Sequence, residues 1–214
     1  MAVNKSKRRA RPVTAQQVKK MIYGAAETKH HTLSYDDEPM STGGDIIALS
    51  DINHGTGDQH RIGDQIRVQK IYGQLVVKMA TTLTGTNNYN KMFPAFRFLI
   101  LQSKKSGPAV GDIPANYYDP VDVDKFYVLQ DKLISLNNPM SINDGTNTYY
   151  LAGPNKLKIN MKKLNNNLIQ YNGNNAEPVR NEIFMAFIPQ NNDVGGTALP
   201  FTYSGFVQMY YKDL

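Results

Sequence analysis

The sequence predicts an all-β, antiparallel fold in which two sheets pack face to face. Two observations point to it: apolar residues recur at every second position through most of the chain, and short runs rich in glycine, asparagine and proline separate these segments. From residue 45 onward about eight strands can be placed, with no helical period between them. A series of short strands of this kind favours a two-sheet sandwich.

The first 20 residues form a basic arm. They hold seven of the 24 basic residues and no acidic one, which leaves 17 basic against 18 acidic residues in the rest of the chain. The seven cations are Lys5, Lys7, Arg8, Arg9, Arg11, Lys19 and Lys20. Because a block of like charge resists packing and typically binds a polyanion, the arm is predicted to contact nucleic acid. A solubilising terminus and a nuclear import signal are the alternatives.

Between the arm and the strands, residues 14–26 predict a short amphipathic helix with Thr14 as its N-cap. Its apolar positions, three and four apart, are Val18, Met21, Ile22 and Ala25. Residues 27–44 read as irregular. The chain is therefore divided into a basic arm, short helix and linker (residues 1–44) and a β domain (residues 45–214).

In the first long strand, QIRVQKIYGQLVVKM, the apolar residues change parity from even to odd positions, which predicts a bend. Its apolar residues occupy even positions at Ile66 and Val68 and odd positions from Ile71 onward. A shift of one residue near Gln69 and Lys70 predicts a β-bulge at that point.

The later strands divide into two kinds. Strict alternation in KLKINMKK (156–163) and FTYSGFVQMYY (201–211) predicts one buried and one wet face. By contrast, FRFLIL (96–101) and IFMAFI (183–188) are apolar on both faces and are predicted at the centre of a sheet.

No pattern indicates an enzyme or a cofactor. The run GTGDQH (55–60) begins like a dinucleotide-binding loop, but its sixth residue is His60 rather than glycine and no helix pattern follows. With no cysteine in the chain, thiolate chemistry is excluded. Two carboxylates, Asp122 and Asp124, could face one cation, yet a solvated acidic turn is the favoured interpretation, and no metal site is predicted.

Further basic residues lie in two groups. One group, around the predicted bend, is His60, Arg61, Arg67 and Lys70, and the other is Lys156, Lys158, Lys162 and Lys163 in one strand segment. Taken with the arm, they predict a surface that faces a polyanion, although each group alone fits an ordinary solvated face. Nearby tyrosines would stack unpaired bases. No apolar run reaches the ~18 residues of a membrane span, so no membrane partner is expected.

The order of motifs resembles that of capsid proteins of geminivirus-like circular single-stranded DNA viruses. HGTGDQHRIGDQIRVQKIYGQLVVKM (54–79) resembles the segment that leads into their jelly roll. Four later segments resemble further strands in the same order: FRFLILQSKKSG (96–107), FYVLQDKLISL (126–136), RNEIFMAFI (180–188) and FVQMYYKD (206–213). The coat protein of satellite tobacco necrosis virus, which encloses RNA, is similar in design. The absence of cysteine departs from the geminivirus pattern.

This resemblance implies an eight-stranded jelly roll that self-assembles into an icosahedral, T=1 shell of about sixty copies. It implies that the arm points inward to a packaged single-stranded genome, with DNA favoured over RNA. It also implies contact with the host nuclear import machinery and a location in the virion, and in host nucleus and cytoplasm during assembly. A non-viral jelly-roll binding module, either a lectin or a nucleic-acid-binding protein, is the alternative.

Overall fold

A computed structural model of the chain describes residues 14–15, 17–18, 26–41, 44–79, 95–104, 110–135, 140–143, 148–151, 153–162, 164, 167–190 and 201–214. Within these ranges nearly all regular structure is strand. The strands are β1 Thr28–Pro39, β2 Asp45–Ala48, β3 Gln65–Met79, β4 Ala95–Ser103, β5 Phe126–Ser135, β6 Met140–Asn143, β7 Thr148–Leu151, β8 Asn155–Met161, β9 Leu168–Tyr171, β10 Pro178–Arg180, β11 Ile183–Pro189 and β12 Phe201–Asp213. No helix in the described ranges is long and apolar enough to cross a membrane.

The strands form two main sheets whose pairings are all antiparallel. Sheet 1 has the order β1-β12-β3-β9-β10. β8 pairs with the same edge of β3 as β9 does, but further along that strand. Sheet 2 has the order β2-β11-β4-β5, while β6 and β7 form a separate hairpin. The chain thus alternates between sheets, and its last strand inserts between β1 and β3. The two sheets, of six and four strands, form an antiparallel double-sheet jelly roll, which confirms the predicted fold class.

The inner faces of the two sheets meet in one large apolar core. A second, smaller cluster lies on the outer side of sheet 2, where Ile113, Tyr117 and Val121 of the segment 110–125 pack over Leu99 and neighbouring residues. Sheet 2 is therefore covered on both faces. This explains why every residue of β4 and β11 is buried, and it confirms the prediction that both strands are central.

Register confirms the predicted bulge. Tyr210 of β12 pairs with Lys70, whereas the next residue, Tyr211, pairs with Val68, so Gln69 is the extra residue in β3. The bulge lets Ile66 and Val68 on one side, and Ile71 on the other, all face the core. The alternating faces predicted for β8 and β12 are likewise observed.

The prediction that residues 27–44 are irregular is wrong, because residues 28–39 form β1 and pair with β12. Polar and charged residues dominate β1, but its position at the edge of sheet 1 leaves much of it in contact with solvent. Lys29, which faces inward, is accommodated by an ion pair with Asp213 (3.1 Å) and a hydrogen bond to the carbonyl of His60. The division of the chain at residue 44 stays a prediction.

The start of the predicted helix is present. The backbone N–H of Gln17 donates to Thr14 Oγ1 (3.3 Å), and the N–H of Thr14 donates to Gln17 Oε1 (2.9 Å). This reciprocal pair is a capping box with Thr14 as the N-cap. Residues 19–25, which complete the predicted helix, lie outside the described residues.

Candidate nucleic-acid interface

The predicted binding residues have different surroundings in the fold. Those outside the described residues are Lys5, Lys7, Arg8, Arg9, Arg11, Lys19, Lys20 and Lys163. For them the predicted contact with nucleic acid stays a prediction. Of the others, Lys70, Lys156 and Lys158 share one surface, the outer face of sheet 1.

The outer face of sheet 1 consists of the side chains that point away from the core on β1, β12, β3 and β8. Its described members include His30, Thr32, Ser34, Phe206, Gln208, Tyr210, Lys70, Tyr72, Gln74, Val76, Lys156, Lys158 and Asn160. All of them are half-buried or exposed. This surface follows from the alternation of each strand, because the inward neighbours of these residues fill the core.

Antiparallel register brings the lysines together. Lys158 lies opposite Gln74 and Lys156 opposite Val76, so both face outward beside β3. On the next stretch of β3, the bulge at Gln69 turns Lys70 to the same side, opposite Tyr210. Lys162 is exposed one residue beyond the end of β8. The structure therefore combines one lysine from the bend with two from the β8 group.

The same surface carries four aromatic side chains, which we call the ring row: His30, Tyr210, Tyr72 and Phe206. The His30 and Tyr210 ring centroids are 6.2 Å apart, and those of Tyr72 and Phe206 are 5.8 Å apart. Lys70 joins the two pairs, since its Nζ lies 4.6 Å from the Tyr72 centroid and 5.8 Å from that of Tyr210. Such contacts between an ammonium and a ring face are attractive but weak where solvent reaches them.

Hydrogen bonds fix the orientation of two rings. The Tyr210 hydroxyl donates to Gln208 Oε1 (2.9 Å), and Gln208 Nε2 donates to Thr32 Oγ1 (3.2 Å). Gln74 Nε2 donates to the Tyr72 hydroxyl (3.0 Å). The two tyrosines are thus held in place by neutral partners, and their rings remain half-buried.

Among the described residues, carboxylates lie at the ends of this part of sheet 1, one of which holds Asp37. There Asp37 contacts Lys78 (2.8 Å) and accepts a hydrogen bond from the Ser204 hydroxyl (2.6 Å). These hydrogen bonds, with Lys78 making the largest contribution, lower the pKa of Asp37. Because Lys78 and Asp37 neutralise each other, the net positive charge of the described surface lies towards Lys70, Lys156 and Lys158.

The prediction for Arg61 is wrong. Its side chain is fully buried, and its guanidinium donates to the backbone carbonyls of Ile52, Gly63, Gly173 and Asn175 at 2.5–3.2 Å. A phosphate cannot reach a side chain so enclosed, so Arg61 is a structural residue. Arg67, in contrast, is half-buried on the outward side of β3 opposite Lys212, and its predicted role stays a prediction.

Neither the loop histidines nor the aspartate pair Asp122 and Asp124 belongs to a metal centre in the described ranges. His31 and His60 line a shallow pocket with Asp58, and burial, reinforced by the neighbouring histidines, lowers the pKa of His31. Asp122 accepts a hydrogen bond from the Asp124 backbone N–H (2.9 Å) and therefore shapes its own turn. Among the residues that the structure describes, no group of three or more potential ligands converges.

Comparison with known proteins identifies the family. The model of the satellite tobacco necrosis virus coat protein family matches residues 1–204. The chain belongs to the satellite tobacco necrosis virus coat protein family. It is accordingly a viral coat protein, a structural component of the virion whose partners are further copies of itself. No curated protein matches it.

Several solved virus structures are similar to this coat protein at low identity. The structure of Desmodium yellow mottle tymovirus is 8% identical over 100% of this chain and 91% of that chain, with a TM-score of 0.39. A T13 particle of IBDV is 11% identical over 86% of this chain and 31% of that chain (TM-score 0.34). The infectious bursal disease virus Gx strain is 13% identical over 86% and 32%, respectively (TM-score 0.33).

Proposed function

We propose that the coat protein assembles into a T=1 icosahedral shell of about sixty copies that encloses a single-stranded DNA genome. The basic arm and the outer face of sheet 1 point towards that genome, and the protein catalyses no reaction. Family membership supports a coat protein over a lectin or another binding module.

The contrast between the two sheets carries the proposal. On sheet 2, Arg97 forms a two-pronged ion pair with Asp131 (2.7 and 3.0 Å) and donates to the carbonyls of Tyr117 and Asp119, so its charge is already matched. The outer side of that sheet is also covered by residues 110–125. Sheet 1 instead presents lysines and rings to solvent, which suits it to a polyanion.

The charge count supports a contribution from both elements. Seven arm cations in about sixty copies give roughly 420 positive charges, enough to neutralise on the order of 400 phosphates. A genome of kilobase size needs more. Lys70, Lys156 and Lys158 would add about 180 charges over the same shell, with small cations supplying the remainder.

The choice of DNA rests on the likeness of residues 54–79 to capsid proteins of circular single-stranded DNA viruses. A second candidate, a single-stranded RNA genome, is favoured by the family match to a satellite virus coat protein. A DNA genome would bring the protein into the host nucleus, and the run KSKRRARP (5–12) has the composition of an import signal.

The test is purification of the full chain after nuclease treatment, followed by size-exclusion chromatography and negative-stain imaging. Uniform particles that contain nuclease-protected nucleic acid support the proposal. Digestion of the extracted nucleic acid with DNase or RNase then distinguishes the two genomes. A small oligomer that protects no nucleic acid would overturn the proposed function.

A further inference from the structure

The ring row places aromatic side chains beside cations on a solvent-accessible sheet. Tyr72, Tyr210 and Phe206 are half-buried, so part of each side chain meets solvent. Lys158 lies on the neighbouring strand opposite Gln74, two residues along β3 from Tyr72. Single-strand-binding proteins combine these two features: rings that stack on bases and a basic groove that follows the phosphates.

We propose that Tyr72, Tyr210 and Phe206 stack on unpaired bases of the packaged DNA strand, while Lys70 and Lys158 bind the adjoining phosphates. This inference rests on the proposed function and adds to it a contact with the bases themselves. It assigns to the outer face of sheet 1 a task that the arm, which holds no aromatic residue in its first 20 positions, cannot perform.

Ring spacing favours an unstacked strand over a duplex. The Tyr72 and Phe206 centroids are 5.8 Å apart with their planes inclined at 52°. Stacked bases follow one another at about 3.4 Å per step along a strand. Two rings at this larger, tilted separation match two bases that are not stacked on each other, an arrangement that a single strand adopts without the cost of deforming a duplex.

Lys70 connects charge neutralisation with stacking. Its ammonium lies over the Tyr72 ring in the protein alone. Because an exposed cation–π contact is weak, a phosphate can draw the ammonium away and leave the ring face to a base. The long side chain permits this movement without a change in the backbone of β3.

The positive charge of the outer face of sheet 1 favours a polyanion over a second copy of the protein as its binding partner. Two copies of this face would bring Lys70, Lys156 and Lys158 against the same cations, which disfavours a second copy. The acidic residues around the surface lie at its ends: Asp37 pairs with Lys78, and Glu27 and Asp58 lie beside His30. A polyanion crossing the middle of the face meets lysines and rings.

The absence of tryptophan from the chain allows a direct test. In full-length Tyr72→Trp protein the introduced indole is the sole tryptophan, and a stacked base will quench its fluorescence. The probes are oligothymidylate of about 16 nucleotides, within the site sizes of single-strand-binding folds, and an abasic strand with the same number of phosphates. We expect quenching by oligothymidylate and little change with the abasic strand.

Tyr127→Trp is the matched control. Tyr127 lies on β5 of sheet 2, with Lys104 Nζ 4.6 Å from its ring centroid, so it reproduces the local cation–π geometry away from sheet 1. We expect its fluorescence to be the same with either probe. Equal quenching of Tyr72→Trp by both strands, or equal quenching in the control, would overturn the inference.

A second set of variants measures affinity. The double variant Tyr72→Val/Tyr210→Val keeps every lysine and replaces both rings by a side chain that favours β-strands. It is expected to weaken oligothymidylate binding at least tenfold, with an unchanged salt dependence. Binding of the abasic strand should stay within twofold of the wild type, as should binding of both strands to Tyr127→Val. Equal loss for both probes in the double variant contradicts stacking.

The design separates the two proposals. Wild-type particles without protected nucleic acid would overturn the proposed function. Particles that protect nucleic acid but show no base-dependent quenching would overturn only the stacking. Oligouridylate, used as a third probe, tests the choice between DNA and RNA. Tighter binding of oligothymidylate supports DNA, and tighter binding of oligouridylate overturns that choice.

Discussion

The guanidinium of Arg61 lies 4.1 Å from the centroid of the Tyr171 ring, although the two residues are far apart in sequence. Tyr171 is nearly buried, and its hydroxyl donates to the carbonyl of Ser50 (2.8 Å). Arg61 thereby joins the loop before β3 to the end of β9 and to the turn at Gly173. A cation in this position stabilises the junction of three chain segments.

Replacement of Arg61 by lysine should destabilise the subunit strongly. A lysine keeps the charge but loses the planar fork that reaches four carbonyls, and it leaves several of them without a donor. We expect a loss of about 3 kcal/mol or more in the free energy of unfolding, measured by denaturant titration. Arg180→Lys on β10, where the side chain is exposed, is the control and should change stability by less than about 0.5 kcal/mol.

Sequence patterns were sufficient for the strands with a clear period. The parity shift at Gln69 located the bulge, and the doubly apolar segments FRFLIL and IFMAFI identified the centre of sheet 2. β1 was not predicted, because an edge strand with one side in solvent has little apolar periodicity. Its partner, β12, starts more than 150 residues later, so only tertiary pairing reveals it.

The candidate site was less accessible to the same reasoning. Arg61 and Lys70 are both basic residues near one bend, yet one is enclosed by carbonyls 112 and 114 positions away and the other faces solvent. The ring row depends on the register between β12 and β3, which brings Tyr210 opposite Lys70. Alternation in each strand gives the face of each residue, but not its neighbour on the next strand.

Truncation of Phe187 or Leu99 should unfold the subunit and abolish assembly. The Phe187 ring contacts Phe98 (5.2 Å) and Tyr203 (4.7 Å) in the main core, whereas Leu99 belongs to the cluster outside sheet 2. Both are fully buried, so either change to alanine should cost about 2–5 kcal/mol. Thermal unfolding measures the effect; a variant that keeps wild-type stability and forms particles would contradict the core assignment.

Removal of two sheet lysines should reduce packaging without affecting the fold. In Lys156→Gln/Lys158→Gln both positions are exposed, so the free energy of unfolding should stay within about 0.5 kcal/mol of the wild type. Fewer nucleotides per particle are expected, measured by the absorbance ratio at 260 and 280 nm. Lys132→Gln on β5, exposed on sheet 2, serves as control, and an equal decrease in that variant would argue against a role specific to sheet 1.

Deletion of residues 1–12 should leave the fold intact and remove most of the packaged nucleic acid. The truncation removes five of the seven arm cations. For single strands the slope of log affinity against log salt is about −0.7 per neutralised phosphate. The seven cations of the full arm therefore predict a slope of roughly −5, and the loss of five of them should reduce its magnitude by about 3.5. A full-length slope near zero would exclude the arm as the binding element, and a truncated chain that fails to fold would contradict the separation of arm from body.

Ionisation of the Asp51 and Glu182 carboxyls should destabilise the subunit at alkaline pH. Burial, with repulsion from Glu177, raises the pKa of Asp51 to about 6, and burial with repulsion from Asp51 and Glu177 raises that of Glu182 to about 7. Both exceed the values of about 4 in an unfolded chain, so their contribution to stability is complete below pH ~4 and is lost as the pH rises through 6 and 7. Asp51→Asn/Glu182→Gln should therefore raise the unfolding temperature more at pH ~8 than at pH ~4. Asp124→Asn, an exposed control, should show no such difference, and a gain independent of pH in the double variant would contradict the assignment.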